Sequence, residues 1–307
     1  MMGVGDFVLS LLEPILESIG PFMPGTTFPA YFEMELFQRA LIAAIIVTVI
    51  GGMLGGFLIM RNLALMGDGL AHVSFGGIAV GVALSSTAPL WYGLLFSIIA
   101  SILIHEMQSR ELLTGDASIG IFLTGTLALG LVVLRVWGGG ITTDIEGYLY
   151  GNINLIGRND LDLIIIVAFF ALTSLYLLHG GLLASTLDPV AAQLQGIPVR
   201  FIGLWFSVMT AAVVVAMVNV VGVLLVTSLL VTPAATGQLI GRSFKGCLLW
   251  TQFFGLSSVI LGIYYSAELG TGGGATIALV SALLFPIVLT GRTVYTRFLQ
   301  SPALPSE

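Results

Sequence analysis

The fold of this chain is indicated by stretches such as residues 38–60, whose sequence is QRALIAAIIVTVIGGMLGGFLIM, with no charge after Arg39. A helix of about 20 apolar residues crosses the roughly 30 Å hydrocarbon core of a bilayer, because it rises about 1.5 Å per residue. The nine stretches of this kind are 38–60, 63–84, 89–105, 117–137, 161–179, 201–218, 220–240, 246–265 and 275–292. We therefore predict an all-α, polytopic transmembrane bundle.

The composition agrees with a membrane protein. Of 307 residues, 57% are hydrophobic and only 8% are charged, whereas about 25% are charged in a typical soluble domain. We predict three parts: an extracytoplasmic or interfacial N-terminal segment (1–36), a transmembrane domain (37–292) and a tail (293–307). In the first part, Phe7–Ile19 is predicted to be an amphipathic helix at the outer interface. Whether residues 1–36 add a tenth span stays open.

Lysine and arginine residues predict the orientation, because cytoplasmic loops retain them. If the C-terminus is cytoplasmic, seven of the 10 Lys and Arg residues lie inside and only Arg39, Arg135 and Arg158 lie outside. The sequence therefore predicts a multi-pass protein of the plasma membrane with its N-terminus outside and its C-terminus in the cytoplasm.

Asp68 and His72 are the candidate cation-binding residues. Their spacing of four places both on one helix face, and an ionisable residue costs at least about 2.5 kcal/mol at the centre of a membrane helix. Imidazole nitrogen and carboxylate oxygen suit zinc, manganese and iron, and two ligands make the weak, transient site that a pathway needs. A structural Asp–His hydrogen bond and a proton relay remain alternatives. No permanently bound cofactor is predicted.

The seventh span carries a break at Pro233, flanked by Thr232 and Thr236. Such a break persists in a membrane only where it is buried in protein or faces water, so these three residues are candidates for lining a pathway. The chain has no phosphate-binding loop of the form G-x-x-x-x-G-K-[ST], so it is not expected to be an enzyme that hydrolyses ATP. No nucleic-acid partner is expected either.

A short helix is predicted between the fifth and sixth spans, within residues 185–200. Asp188 is a favourable N-cap, Pro189 a favourable first residue, and Gly196 can close the helix in a left-handed conformation. This two-turn helix would lie outside the bilayer. A simple connector and a docking surface for a partner are both open interpretations.

Several motifs taken together resemble those of one family. They are RNLALMGD at 61–68 with His72, GYLYG at 147–151, LDP at 187–189 with Gly196, and VGVLLV at 221–226 with Pro233. In their order they are similar to the integral-membrane permeases of ATP-binding-cassette (ABC) importers for zinc, manganese or iron, from about residue 37 to 292. The resemblance implies a bundle of the vitamin-B12-importer-like type.

The resemblance also implies partners and roles. A second permease copy, a cytoplasmic ABC ATPase, an extracytoplasmic metal-binding protein and membrane lipid would surround the chain. The ATPase would hold the loop of Asp188, Pro189, Gln195 and Gly196, while a transported divalent metal ion would pass Asp68 and His72. An importer of the same architecture for an organic cofactor, such as a corrinoid or chelated iron, is the alternative. The identity of the metal and the choice between homodimer and paired permeases stay open.

Overall fold

The computed structural model describes residues 3–137, 143–151 and 156–300, and every regular element in these ranges is helical. In chain order the helices are α1 (Val4–Ile19), α2 (Ala30–Glu33), α3 (Glu35–Met60), α4 (Leu65–Ala83), α5 (Pro89–Ser109), α6 (Gly115–Val136), α7 (Thr143–Tyr150), α8 (Arg158–Leu187), α9 (Pro189–Leu194), α10 (Val199–Val221), α11 (Val226–Leu230), α12 (Thr232–Ile240), α13 (Phe244–Leu269) and α14 (Gly273–Gln300). Short 3-10 turns occupy Gly20–Phe22 and Val223–Leu225.

Nine helical segments among the described residues are long and apolar enough to cross a membrane, which confirms the predicted number. They are α3, α4, α5, α6, α8, α10, the segment Val223–Ile240 that contains α11 and α12, α13 and α14. α14 continues into the predicted tail, whose residues 301–307 lie outside the described ranges.

Helix α8 is longer than predicted, because it ends at Leu187 and the predicted span ends at 179. Gly180 and Gly181 each cost a helix interior about 1 kcal/mol. The following turns are held by packing, since Leu182 and Ser185 are buried. Tertiary contact therefore outweighs the local preference to end the helix.

The core of the bundle is formed by α3, α4 and α10, whose apolar windows are mostly buried, whereas α6 and α14 are largely exposed. Glycines allow the inner helices to approach closely. A Cβ added at Gly55 of α3 would overlap the backbone oxygen of Leu230, and one at Gly77 of α4 would overlap that of Tyr92. Such close approach is typical of membrane helices that pack through small residues.

The connections lie at two ends of the bundle. At one end, called here the α9 end, Arg61 contacts Thr186 and Arg200 contacts Glu106. At the other end, called the N-terminal end, Arg158 contacts Glu35. The basic residues whose side chains are described are unequally distributed between the two ends. The α9 end has Arg61, Arg110, Arg200, Arg242, Lys245 and Arg292, and the N-terminal end has Arg39, Arg135 and Arg158.

The N-terminal segment is folded onto the bundle. The backbone nitrogen of Gly5 in α1 donates to Asp162 Oδ1 of α8 at 2.5 Å. The Glu268 carboxylate at the end of α13 accepts from the backbone nitrogens of residues 26–28 at 2.8–3.0 Å and from Thr26 Oγ1 at 2.9 Å. With 16 residues, α1 is shorter than a span. Its predicted position at the outer interface stays a prediction.

Candidate functional site

The candidate site lies at the start of α4, and a tight helix end determines where α4 begins. At the end of α3, Asn62 adopts a left-handed conformation with φ 56°. The backbone nitrogen of Leu63 donates to Leu58 O at 2.8 Å, and that of Asn62 donates to Ile59 O at 3.1 Å. This pair of bonds is a Schellman closure. Because α4 begins at Leu65, Asp68 falls in its first turn, where the helix dipole favours a carboxylate.

The predicted pair faces one environment but does not form a hydrogen bond. His72 Nε2 lies 3.9 Å from Asp68 Oδ1, beyond the usual limit of about 3.2 Å for such a bond. The exposed fractions of the two side chains are 15% for His72 and 37% for Asp68. His72 Nδ1 is buried and has no hydrogen-bond partner within the described residues. Both side chains therefore retain bonding capacity.

A third polar group reaches the pair from α11. Thr227 Oγ1 lies 3.4 Å from Asp68 Oδ1, as the donor of a long hydrogen bond. α11 is positioned by Leu230, against which Cβ atoms added at Gly55 or Gly67 would collide. Reasoning from the sequence missed Thr227. The break in the same span was the only signal available, and it directed attention to Pro233 instead.

These groups can form only part of a coordination sphere. They supply a carboxylate oxygen, an imidazole nitrogen and a hydroxyl oxygen. No cluster of three or more His, Cys, Asp or Glu residues suited to a metal occurs in the described ranges. A stably held structural zinc usually has four protein ligands. The arrangement is therefore suited to brief contact with a cation rather than to permanent binding.

The break predicted in the seventh span is present, since α11 ends at Leu230 and α12 starts at Thr232. Thr236 Oγ1 donates to Thr232 O at 2.8 Å, and both Pro233 and Thr236 are buried. A Cβ at Gly255 of α13 would lie 3.8 Å from Pro233. Pro233 therefore packs towards α13, and Thr227 is the residue of this span that reaches Asp68. That residues 232, 233 and 236 line a pathway stays a prediction.

Helix α9 has the predicted geometry. Asp188 Oδ1 accepts from Val190 N at 3.0 Å and from Ala191 N at 2.9 Å, and Pro189 is the first helical residue. Gly196 closes the helix with φ 81°.

The surface of α9 is exposed. Gln195 at its C-cap is exposed, and the apolar side chains Val190 and Leu194 are 67% and 86% exposed. Together they form an unpaired surface at one end of the bundle.

Known proteins are similar to this chain in sequence. The family model described as the ABC 3 transport family matches residues 33–292. The manganese transport system membrane protein MntC of Halalkalibacterium halodurans is 34% identical over 262 residues, which are 85% of this chain and 88% of that protein. The high-affinity zinc uptake system membrane protein ZnuB of Haemophilus influenzae is 30% identical over 258 residues, 84% of this chain and 98% of that protein.

A solved structure is also similar. The structure of PsaBC from Streptococcus pneumoniae in complex with Fab matches with a TM-score of 0.75 and 29% identity, over 84% of this chain and 92% of that chain. These matches confirm the resemblance to integral-membrane permeases of metal-ion ABC importers. The chain belongs to the ABC 3 transport family.

Proposed function

We propose that this chain is the membrane permease subunit of an ABC importer that moves a divalent transition-metal ion, zinc, manganese or iron, into the cytoplasm. The observation that supports it most is the partly unsatisfied set of Asp68, His72 and Thr227 inside the bundle. Mixed oxygen and nitrogen donors suit first-row transition metals better than magnesium or calcium. The names of the relatives, which refer to manganese and zinc transport, agree with this proposal.

The energy for transport is proposed to come from a separate cytoplasmic ATPase. Helix α9 offers that ATPase an exposed surface with apolar side chains, at Val190 and Leu194. A second permease copy and an extracytoplasmic metal-binding protein complete the proposed assembly.

The α9 end is proposed to be cytoplasmic, with the N-terminal end outside. Six basic residues whose side chains are described lie at the α9 end and three at the other end, which favours this orientation. Single cysteines at Ser109 and Gly270, in a background with Cys247→Ser, test it with a membrane-impermeant thiol reagent on sealed cells. We expect labelling at position 270 and none at 109 until the cells are opened. The reverse pattern would overturn the orientation.

The transported substance can be identified from cells with and without this chain. Mass spectrometry of washed cells measures zinc, manganese, iron and cobalt, the last as a marker of corrinoids. We expect the content of zinc, manganese or iron to fall in cells that lack the chain and to recover when the chain is restored. A loss of cobalt alone, with the other three unchanged, would favour the alternative of an organic cofactor. Unchanged levels of all four would contradict metal import.

A further inference from the structure

Arg61 lies between the proposed ATPase surface and the proposed metal site. It is the C-cap residue of α3, just beyond the last residue of that span. Its Nε donates to Thr186 Oγ1 at 2.8 Å, and its Nη2 donates to Ser185 Oγ at 2.7 Å. The guanidinium carbon lies 4.8 Å from the ring centroid of Phe206 in α10. One side chain therefore joins three helices at the α9 end.

The two hydroxyl groups are oriented to accept from Arg61. Ser185 Oγ donates to Leu182 O at 3.0 Å, and Thr186 Oγ1 donates to the same oxygen at 2.6 Å. Because each hydroxyl proton is used in this way, the oxygen lone pairs are free to face the guanidinium. Hydrogen bonds from an ionised donor are roughly twice as strong as neutral ones, and the aromatic face adds a cation–π contact.

The charge of Arg61 persists under physiological conditions. Burial lowers the pKa of Arg61 to about 10, which still leaves the guanidinium protonated near neutral pH. Both bonds therefore remain charge-assisted.

Few residues separate this contact from α4 on one side and from α9 on the other, and backbone hydrogen bonds hold them. On one side, the Schellman closure at Asn62 leads directly into α4, which carries Asp68 and His72. On the other side, Thr186 is two residues before Asp188, whose backbone nitrogen still donates to Ala184 O at 3.0 Å. Few flexible residues therefore separate α9 from the residues that Arg61 contacts, so a displacement of α9 would also move Arg61.

We propose that Arg61 is a positioning residue that transmits movement of α9 to the start of α4, and so to Asp68 and His72. This inference rests on the proposed function, because it requires an ATPase that moves α9. Arg61 does not contact the transported ion. It keeps the end of α8 and the start of α4 moving together, so that ATP hydrolysis and release of the ion from the site stay linked.

The test compares variants that differ in one contact. Arg61→Met removes the charge and both donors but keeps an unbranched stem near Phe206. Thr186→Val removes one acceptor at nearly constant volume, and Thr186→Ser is its matched control because it keeps the hydroxyl. Each permease is purified with its ATPase and reconstituted in liposomes with metal-loaded binding protein. ATP hydrolysis and metal uptake are measured in the same vesicles.

We expect Arg61→Met and Thr186→Val to copurify with the ATPase and to hydrolyse ATP, yet to transport at least about fivefold less metal per ATP, the lower range of typical coupling between sites. Thr186→Ser should match the unmodified protein. Combining Arg61→Met with Thr186→Val should add little to the single effects, since both disrupt one contact. If Arg61→Met does not fold, the comparison of Thr186→Val with Thr186→Ser still tests the proposed role of Arg61.

A normal ratio of metal to ATP in Thr186→Val would overturn the role of Arg61 while leaving the proposed function intact. Loss of ATPase binding in step with loss of uptake would also overturn it, since it would indicate a structural role only. Absence of ATP-driven uptake by the unmodified protein would instead refute the proposed function, and this inference with it.

Discussion

Two polar clusters at the α3–α4 junction, centred on Arg61 and on Asp68, differ in how fully their hydrogen-bonding capacity is used. Arg61 donates two short bonds, of 2.7 and 2.8 Å, to hydroxyl groups that are already oriented. Asp68 has neighbours at 3.4 and 3.9 Å, and His72 Nδ1 has no partner in the described part of the chain. Both clusters are only partly exposed to solvent, so solvent exposure alone does not explain why their hydrogen-bonding capacity is used to different extents.

The two clusters differ in whether their polar groups all have partners. Buried polar groups in proteins are nearly always hydrogen-bonded, and each exception calls for an explanation. The Arg61 cluster follows this rule, since Arg61 donates to two hydroxyl groups that each have an acceptor of their own. His72 Nδ1 departs from it, while Asp68 is 37% exposed and accepts only a long bond from Thr227. Unused capacity at that position is what a cation in transit would occupy.

Asp68→Asn is expected to have the largest effect on metal uptake. The change keeps size and hydrogen bonding but removes the charge that attracts a divalent ion. Mutation of a residue that only supports a metal ligand typically lowers metal affinity or activity 10- to 100-fold. We therefore expect loss of this direct contact to lower uptake by at least about 100-fold.

The melting temperature and ATPase binding of Asp68→Asn should stay unchanged, because the hydrogen bond from Thr227 to Asp68 is long. Uptake into liposomes and thermal unfolding measure the two quantities. Normal uptake would return the pair to a role in helix packing.

Gly55→Ala should have the next largest effect, and it acts on the helix that brings Thr227 to Asp68. The added methyl group would overlap the backbone oxygen of Leu230, and overpacking of this kind typically costs about 1–3 kcal/mol. Gly120→Ala in α6 is the control, since no atom lies within 4 Å of a Cβ there. Thermal unfolding in detergent should show a lower midpoint for Gly55→Ala only. Equal midpoints would indicate that α11 is not held by this contact.

Thr227→Val should have the smallest effect, and it tests the contact of Thr227 with Asp68 directly. It removes a long hydrogen bond to Asp68, and a typical hydrogen bond contributes about 0.5–1.5 kcal/mol. We therefore expect uptake to fall by about tenfold at most. Thr227→Ser keeps the hydroxyl and should retain normal uptake. Initial uptake rates over a range of concentrations of metal-loaded binding protein provide the measurement, and equal rates for the two variants would exclude Thr227 from the site.

The sequence by itself was sufficient for the features that depend on local physics. The nine spans follow from the length of apolar helix that crosses hydrocarbon. The N-cap of α9 at Asp188 and its closure at Gly196 follow from capping preferences that involve only nearby residues. The shared face of Asp68 and His72 follows from helix periodicity. None of these requires knowledge of which helices are neighbours.

Only the tertiary structure decided which distant residues meet. Thr227 approaches Asp68 across 159 positions of sequence, and Arg61 finds its hydroxyl partners across 124 and 125. The extension of α8 beyond Gly180 likewise depends on burial of Leu182. In an apolar bundle many helix pairings satisfy the same hydropathy pattern, so the pairing is chosen by close packing at particular glycines, such as Gly55 against Leu230. Such complementarity exists only once the helices are assembled.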